Sequence, residues 1–262
     1  MMETDKISRE LNKIYRHLLK NDKKIAQMQE ELYTLRELSQ KRFRELNFAD
    51  LLHDTIINST WLKDKSFSLH GWAANYSFIY MLYRILDNAK PKHILEMGMG
   101  QTSKVTSQYV ANCNPQASLD IIENDADWIN TYQPQLVESE QIKIHQCGLE
   151  FFKDGNCECR KYQNLQEIIS NQKYDLIIVD GPFGGGQTFP RSNILDLIKN
   201  HNLAEDFIII FDDAERVGEQ NTIEQAKNLL AQQGIEFFDF IREGIKRQYY
   251  LTSKSKQFIQ YL

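Results

Sequence analysis

Two almost wholly apolar segments, YDLIIVD at residues 174–180 and FIIIFDD at residues 207–213, each end in aspartate. They are the strongest constraint on the fold, because such runs are typical of strands buried on both faces of a parallel sheet. Further strands are predicted at residues 93–97, 119–123 and 142–146, with helices between them. Alternating strands and helices predict an α/β domain whose mostly parallel sheet is covered on both faces.

The chain ends in two more predicted strands, residues 235–241 and 246–252. The short turn between them predicts an antiparallel hairpin at the carboxyl end. Apolar residues at helical spacing predict a helix over residues 67–88, and further helices are predicted at 102–112, 125–131, 162–171, 194–199 and 222–233.

The amino-terminal segment follows a different pattern. No glycine or proline occurs before Gly71, and apolar residues recur with a heptad period, interrupted by a polar Asn21 at one core position. The a positions are Leu11, Leu18, Ile25 and Leu32, and the apolar d positions are Ile7, Ile14, Met28 and Leu35. This repeat predicts a coiled coil that joins a homodimer or homotrimer, and a single amphipathic helix is the alternative. We therefore divide the chain into an oligomerisation helix, residues 1–46, and an α/β domain, residues 47–262.

Composition excludes several classes of protein. The formal net charge of −5 argues against general nucleic-acid binding, and no apolar run is long enough to predict a transmembrane helix. The four cysteines form no C-x-x-C pair, which gives a zinc site little support. Free thiols and the absence of an apolar signal segment predict a cytoplasmic location.

Chemistry is expected at the carboxyl ends of the strands, where parallel sheets bind their ligands. Gly98 and Gly100 follow the first strand, and the next helix, beginning near Thr102 and Ser103, offers free backbone N–H groups. Glu123 ends the second strand, where a carboxylate can accept both hydroxyls of a ribose.

A nicotinamide-dependent enzyme would use the same two features. Against it, the turn reads G-x-G-x-x-S, Glu96 stands inside the first strand, and the chain ends in a hairpin.

The segments ILEMGMGQTS, LDIIEND and YDLIIVDGP, together with the terminal hairpin, resemble the class I S-adenosylmethionine-dependent methyltransferases over residues 70–262. The resemblance implies a seven-stranded Rossmann-like sheet with its last strand antiparallel, and S-adenosylmethionine as the cofactor. It implies that Gly98 and Gly100 pass beside the methionine part of the cofactor, near Glu96, and that Glu123 holds the ribose. The complete predicted cofactor set is Glu96, Gly98, Gly100, Thr102, Ser103, Glu123 and Asp180.

A narrower resemblance follows the fourth strand of the domain. VDGPFG, Phe189-Pro190-Arg191 and FDDAERVGE are similar to the pattern of plant glucuronoxylan 4-O-methyltransferases and related polysaccharide-biosynthesis proteins. That similarity implies methyl transfer to a hydroxyl of a carbohydrate, either a glycan or a sugar precursor.

Asp180, Asp212 and Asp213 end neighbouring strands, and two roles are open for them. One carboxylate, of Asp180 or Asp213, acts as a general base on the acceptor hydroxyl. Alternatively, all three bind Mg²⁺ or Mn²⁺, as similarity to catechol-type O-methyltransferases implies. Asp213 has a further structural alternative as the cap of the following helix.

Arg191 and Arg216 are candidates to bind an anionic group of the substrate through their forked guanidinium groups. The alternative is that they form ion pairs with Glu215 or Glu219. The glycine-rich loop 181–187 is predicted to close over the substrate, or it is simply a connector.

His70, Trp72 and Tyr76 are expected on the acceptor side of the site or, for the two aromatic residues, in the core. The predicted function is an S-adenosylmethionine-dependent O-methyltransferase acting on a carbohydrate. The alternatives are methylation of a non-sugar small molecule, and an assembly module that binds the cofactor without turnover.

Overall fold

The computed structural model describes residues 2–69, 71, 73–155, 157–170 and 172–262, with side chains described from residue 6 onward. His70 and Trp72, two of the expected acceptor-side residues, lie outside the described residues. The chain divides into two compact units, residues 1–43 and 44–262. The functional division at residue 46 remains a prediction.

Helix α1 occupies Met2–Ile56 and is 55 residues long, so it continues past the predicted end at residue 46. Its uninterrupted course agrees with the lack of glycine and proline in this part of the chain. The apolar heptad residues from Ile7 to Leu35 are 53–63% exposed. A single copy of the helix therefore leaves this apolar row in contact with solvent.

The second unit is built on one seven-stranded sheet and a separate two-stranded hairpin. The strands, in chain order, are β1 (His93–Met97), β2 (Ser118–Glu123), β3 (Ile142–Gln146), β4 (Leu149–Asp154), β5 (Cys157–Tyr162), β6 (Tyr174–Val179), β7 (Leu203–Phe211), β8 (Phe237–Glu243) and β9 (Arg247–Ser253). The order in the large sheet is β3-β2-β1-β6-β7-β9-β8. β3, β2, β1, β6 and β7 pair in parallel, and β9 is antiparallel to both of its neighbours. The predicted seven-stranded, mostly parallel Rossmann-like sheet with an antiparallel hairpin is confirmed.

Helices cover both faces of this sheet. They are α2 (Tyr76–Ala89), α3 (Gln101–Asn112), α4 (Ala126–Tyr132), α5 (Leu165–Ile169), α6 (Asn193–Lys199) and α7 (Val217–Gln232), with 3₁₀ helices at Gln133–Gln135 and Lys254–Tyr261. Because side chains alternate along a strand, Leu176 and Ile178 of β6 join the core beside α2 and α3, whereas Ile177 and Val179 join the core beside α6 and α7.

Helix α2 begins at Tyr76 and not at residue 67 as predicted. Its start is fixed by a distant side chain, because the Glu45 carboxylate accepts a hydrogen bond from the backbone N–H of Tyr76. An acceptor at the first turn satisfies a backbone donor that the helix itself leaves unpaired. Apolar spacing alone cannot locate this boundary.

The prediction of a helix over residues 162–171 was wrong at its start, because Tyr162 ends a strand and the helix begins at Leu165. β4 and β5 form an antiparallel hairpin that pairs Asp154 with Cys157 across a turn containing Gly155, and the helix that follows is only α5. The sequence of this hairpin is too polar to show a clear period of two. The four cysteines are free thiols, as expected. No helix in the described part of the chain has a stretch long and apolar enough to span a bilayer.

The central strand β6 is expected to dominate stability. Ile178 is fully buried on one face of it, and Ile178→Ala should lower the free energy of unfolding by about 3 kcal/mol through lost burial and a cavity. Ile241→Ala on β8, where the side chain is 46% exposed, is the matched control and should cost under about 1 kcal/mol. Urea denaturation measures both, and equal losses would contradict this account of the core.

Candidate functional site

The carboxyl ends of β1 and β6 are in direct backbone contact, and two glycines make this possible. A Cβ on Gly98, where φ is +98°, would lie 2.8 Å from the backbone nitrogen of Gly181, and one on Gly181 would lie 2.7 Å from the Cα of Gly98. Both distances are shorter than real Cβ contacts allow. The loops after the two strands therefore meet at the edge of the sheet.

Glu123 at the end of β2 is held in place by backbone donors. Oε2 accepts a hydrogen bond from Met99 N at 3.0 Å, and Oε1 accepts from Asn124 N at 2.7 Å and Asp125 N at 3.0 Å. A carboxylate offers about four acceptor positions, so one remains for a ligand. The ribose hydroxyls that Glu123 is predicted to bind would have to donate to this remaining acceptor position.

Glu96 lies beneath the glycine turn and is fully buried. Its carboxylate accepts hydrogen bonds from the hydroxyls of Thr102, Ser103 and Thr106, all on α3. Ser103 Oγ in turn accepts from Gly100 N at 3.0 Å. Burial raises the pKa of Glu96 to about 7, and the hydroxyl donors limit that rise. The structure thus shows these residues supporting the turn, and their contact with a cofactor stays a prediction.

The three predicted carboxylates come together at the ends of β6 and β7. One oxygen from each of Asp180, Asp212 and Asp213 lies within 4.8 Å of the others. Arg191, from the loop after β6, contacts all three residues: Nη2 lies 2.7 Å from Asp213 Oδ2 and 3.2 Å from Asp180 Oδ1, and Nη1 donates to the backbone oxygen of Asp212 at 2.8 Å. Arg191, which was predicted to bind the substrate, is buried. Both of its terminal nitrogens already contact aspartate residues of the protein.

A second cation reaches the same carboxylates from the turn between β8 and β9. Lys246 Nζ lies 3.4 Å from Asp212 Oδ2 and 3.5 Å from Asp213 Oδ1, and it donates to the backbone oxygen of Ala73 at 3.0 Å. Gln248 Nε2 donates to Asp212 Oδ1 at 2.7 Å. Asp212 is therefore satisfied on both oxygens.

Arg216 adds a third cation beside Asp213. Its Nη1 lies 2.9 Å from Asp213 Oδ2 and 3.6 Å from Glu219 Oε1, so the ion pairing considered as an alternative is present for this residue. Asp213 and Arg191 both have φ near +55°, a backbone region that non-glycine residues adopt at a cost of about 1–3 kcal/mol. The fold maintains this ion pair despite the strain.

The environments of Asp180 and Asp213 shift their pKa values in opposite directions. Burial, and then the charge of Asp212, hold the pKa of Asp180 well above its usual range in spite of Arg191. Burial also favours a higher pKa for Asp213, but the charges of Arg191, Lys246 and Arg216 outweigh it and lower the pKa. The pKa of Asp213 is thus held below its usual range by its three cationic neighbours, whereas that of Asp180 is held above it.

The predicted Mg²⁺ or Mn²⁺ ligands are thus adjacent, but the surrounding donors do not fit a divalent ion. Each of the three aspartates already contacts a cationic nitrogen of Arg191 or Lys246. Metal binding here would require displacement of at least one of these side chains.

An open cleft of about 480 Å³ lies above this edge of the sheet. Its volume falls within the range of about 300–1,000 Å³ that is typical of small-molecule pockets. Gly98, Glu123, Asp180, Arg191 and Asp213 are predicted site residues that line it, whereas Glu96, Thr102 and Ser103 lie below the surface.

Two aromatic residues of the cleft were missed by sequence reasoning. Tyr162, at the end of β5, is 1% exposed, and its hydroxyl has no hydrogen-bond partner among the described residues. Trp128 donates from Nε1 to the backbone oxygen of Met99 at 2.6 Å, with its ring 4.5 Å from that of Tyr132. The helical position after Glu123 is a weak signal for Trp128, and no signal pointed to Tyr162. Tyr76, expected near the acceptor, is not among the lining residues that the structure describes.

The glycine-rich loop 181–187 is anchored at its far end. Gln187 Oε1 accepts a hydrogen bond from Arg160 N at 2.6 Å, and its Nε2 donates to Phe183 O at 2.8 Å. The guanidinium of Arg160 also lies over the ring of Phe183, 5.6 Å from its centroid. The hairpin of β4 and β5 therefore holds this loop, whose closure over a substrate stays a prediction.

No protein-family model and no curated protein matches the chain. Among solved structures, it is similar to an O-methyltransferase from Bacillus cereus in complex with S-adenosylhomocysteine, with 13% identity, a TM-score of 0.47, and coverage of 79% of this chain and 90% of that one. It is also similar to the O-methyltransferase TomG from Streptomyces achromogenes, which is involved in tomaymycin synthesis and was solved with S-adenosylmethionine. There the identity is 13%, the TM-score 0.45, and the coverage 82% of this chain and 89% of that one.

Glu96 should make the stability of the protein depend on pH. Its pKa rises on folding from an ordinary 4.5 to about 7, so the folded state binds the proton more tightly. The stabilisation from this proton is complete below the unfolded value and is lost as the pH rises through the folded value. Glu96→Gln carries no titrating group here. Between about pH 5 and about pH 8, the unfolding free energy of the wild type should therefore fall by about 3 kcal/mol relative to that of the variant.

Urea denaturation of both proteins at the two pH values measures this difference. A constant difference between wild type and variant across that range would show that Glu96 does not titrate as its burial requires.

Proposed function

We propose that the protein is an S-adenosylmethionine-dependent O-methyltransferase. The observation that carries the proposal is the presence of Glu123 and Asp180 in one cleft, at the ends of the strands that flank β1 in the sheet. Glu123 is a fixed acceptor suited to ribose hydroxyls, and Asp180 is a carboxyl group with a raised pKa.

The charge of the cleft also favours this cofactor. Four acids line the cleft, Glu123, Asp125, Asp180 and Asp213, against two arginines, Arg191 and Arg216. An acidic lining stabilises a cationic ligand, and S-adenosylmethionine is a sulfonium ion.

Bound S-adenosylmethionine supplies an electrophilic methyl group, and the protein has to place the acceptor oxygen in line with it and remove the hydroxyl proton. We assign proton removal to Asp180, whose side chain is 23% exposed and lines the cleft. A raised pKa makes its carboxylate a stronger base than an ordinary aspartate. The proton of the acceptor hydroxyl would end on the Asp180 carboxylate, which Arg191 contacts at 3.2 Å.

Asp213 and Arg191 act together as positioning residues in this mechanism. Arg191 bridges the two aspartates through Nη2, and Asp213 keeps the guanidinium in place. The acceptor is proposed to be a hydroxyl of a carbohydrate, on the resemblance of the segments around Asp180, Arg191 and Asp213 to glucuronoxylan methyltransferases.

The test of the proposed function is calorimetry with S-adenosylmethionine, followed by transfer of a labelled methyl group to a panel of hexoses, uronic acids and simple phenols. Asp180→Asn should lower kcat by about 100-fold or more, because a general base contributes about 10²–10⁴. Asp206→Asn is the matched control, since Asp206 is exposed and paired with Lys256.

Failure of the wild-type protein to bind S-adenosylmethionine would refute the proposed methyltransferase activity. Binding without transfer to any acceptor would favour the non-catalytic assembly module. Full activity in Asp180→Asn would show that Asp180 is not the general base. Transfer to phenols alone would refute the carbohydrate acceptor and favour a non-sugar one.

We further propose that residues 1–46 join two or three copies of the chain through the heptad positions. The support is the exposed apolar row on α1, together with charges that can pair across a parallel seam, such as Glu31 with Arg36 of a second copy. Asn21 would disfavour slipped registers, because a single amide in an apolar seam needs a partner.

Replacing two seam residues, Leu18→Lys with Leu32→Lys, should reduce the full-length protein to a monomer in sedimentation experiments. The matched control is Leu19→Lys with Tyr33→Lys, which places the same charges at exposed b positions outside the seam. Equal masses for both double variants would count against association through the heptad row.

A further inference from the structure

Lys246 occupies a position that sequence reasoning did not associate with the site. It stands at the end of the turn between β8 and β9, and its ammonium group reaches the oxygens of Asp212 and Asp213. Arg191 approaches the same cluster from the loop after β6 and contacts Asp180 and Asp213. Lys246 and Arg191, together with Arg216 on Asp213, thus surround the three carboxylates with cations from separate parts of the chain.

The turn that carries Lys246 is held by two residues of α1, Arg44 and Glu45. Glu45 Oε2 accepts a hydrogen bond from Ile245 N at 2.8 Å, and Arg44 Nη2 lies 3.0 Å from Glu243 Oε2. Gly244 packs so closely on the Glu45 carboxylate that a side chain there would overlap it. These contacts restrict the movement of the turn and hence of the lysine.

The stem of Lys246 is fixed at its other end as well. The ammonium group donates to the backbone oxygen of Ala73, and the side chain is only 14% exposed. A lysine held at both ends loses little entropy when it neutralises the aspartates, in contrast to a surface lysine. It is therefore difficult for a hydrated metal ion to displace.

We propose that Lys246, with Arg191, is the permanent counter-ion of Asp180, Asp212 and Asp213 and stands where a divalent cation would otherwise bind. The site consequently takes no Mg²⁺ or Mn²⁺. Asp180 has the most exposed side chain of the three aspartates and lines the cleft, which leaves its carboxylate accessible to a ligand there. This inference concerns the ion content of the site and does not depend on the methyl-transfer proposal.

The test is a titration of the full-length protein with Mn²⁺, followed by the electron paramagnetic resonance signal of the free ion. The wild type should show no saturable binding up to millimolar Mn²⁺. Lys246→Ala removes the counter-ion and should bind one Mn²⁺ per chain, more than about tenfold tighter than the wild type. Adding Asp213→Asn to Lys246→Ala should abolish that binding.

Lys254→Ala is the matched control, because Lys254 is exposed and paired with Glu236, and it should behave as the wild type. Lys246→Met keeps the apolar stem and replaces the alanine variant if circular dichroism shows that the latter does not fold. One Mn²⁺ bound by the wild type and lost in Asp213→Asn would overturn the proposal. So would a folded Lys246 variant that gains no Mn²⁺ binding.

Discussion

The burial of carboxylates at one edge of the sheet is the constraint on which the rest of the site depends. An ionised carboxylate is costly to bury unless hydrogen bonds or opposite charges compensate it. The chain uses three different solutions: hydroxyls of α3 for Glu96, backbone N–H groups for Glu123, and guanidinium and ammonium groups for Asp212 and Asp213. The three strand-end aspartates are not stabilised equally by neighbouring cations. Asp180 is stabilised least, because burial and the charge of Asp212 raise its pKa in spite of Arg191. The group left with a raised pKa is also the one that lines the cleft.

The compensating groups come from parts of the chain that are far apart in sequence. Arg191 follows β6, Lys246 follows β8, and the turn that carries Lys246 contacts Glu45 of α1. The contacts of these residues link the loop after β6, the hairpin of β8 and β9, and helix α1. An ion-paired network of this kind is expected to respond as a unit when one member is replaced, so single substitutions should not add.

The sequence was sufficient to predict the sheet because its strands are buried on both faces and read as apolar runs. The rule that ligands bind at strand ends then located Gly98, Glu123, Asp180 and Asp213 at the cleft. The hairpin of β4 and β5 could not be predicted in the same way, since its polar residues hide the strand period, and Tyr162 was missed with it. The start of α2 and the position of Lys246 depend on Glu45, which contacts both regions across a separation that no local pattern reveals. The sequence predicted that Asp180, Asp212 and Asp213 lie together, but no local pattern could show that Arg191 and Lys246 reach the same carboxylates.

The attachment of loop 181–187 to β5 through Gln187 affects how easily a ligand can enter or leave the cleft. Of the two hydrogen bonds of Gln187, the one from Arg160 N joins the loop to β5, whereas the one to Phe183 O lies within the loop itself. Movement of the loop away from the hairpin therefore exchanges the Arg160 hydrogen bond for bonds to water, at a net cost of about 1 kcal/mol. The hairpin of β4 and β5 thus restrains a loop that borders the cleft without locking it.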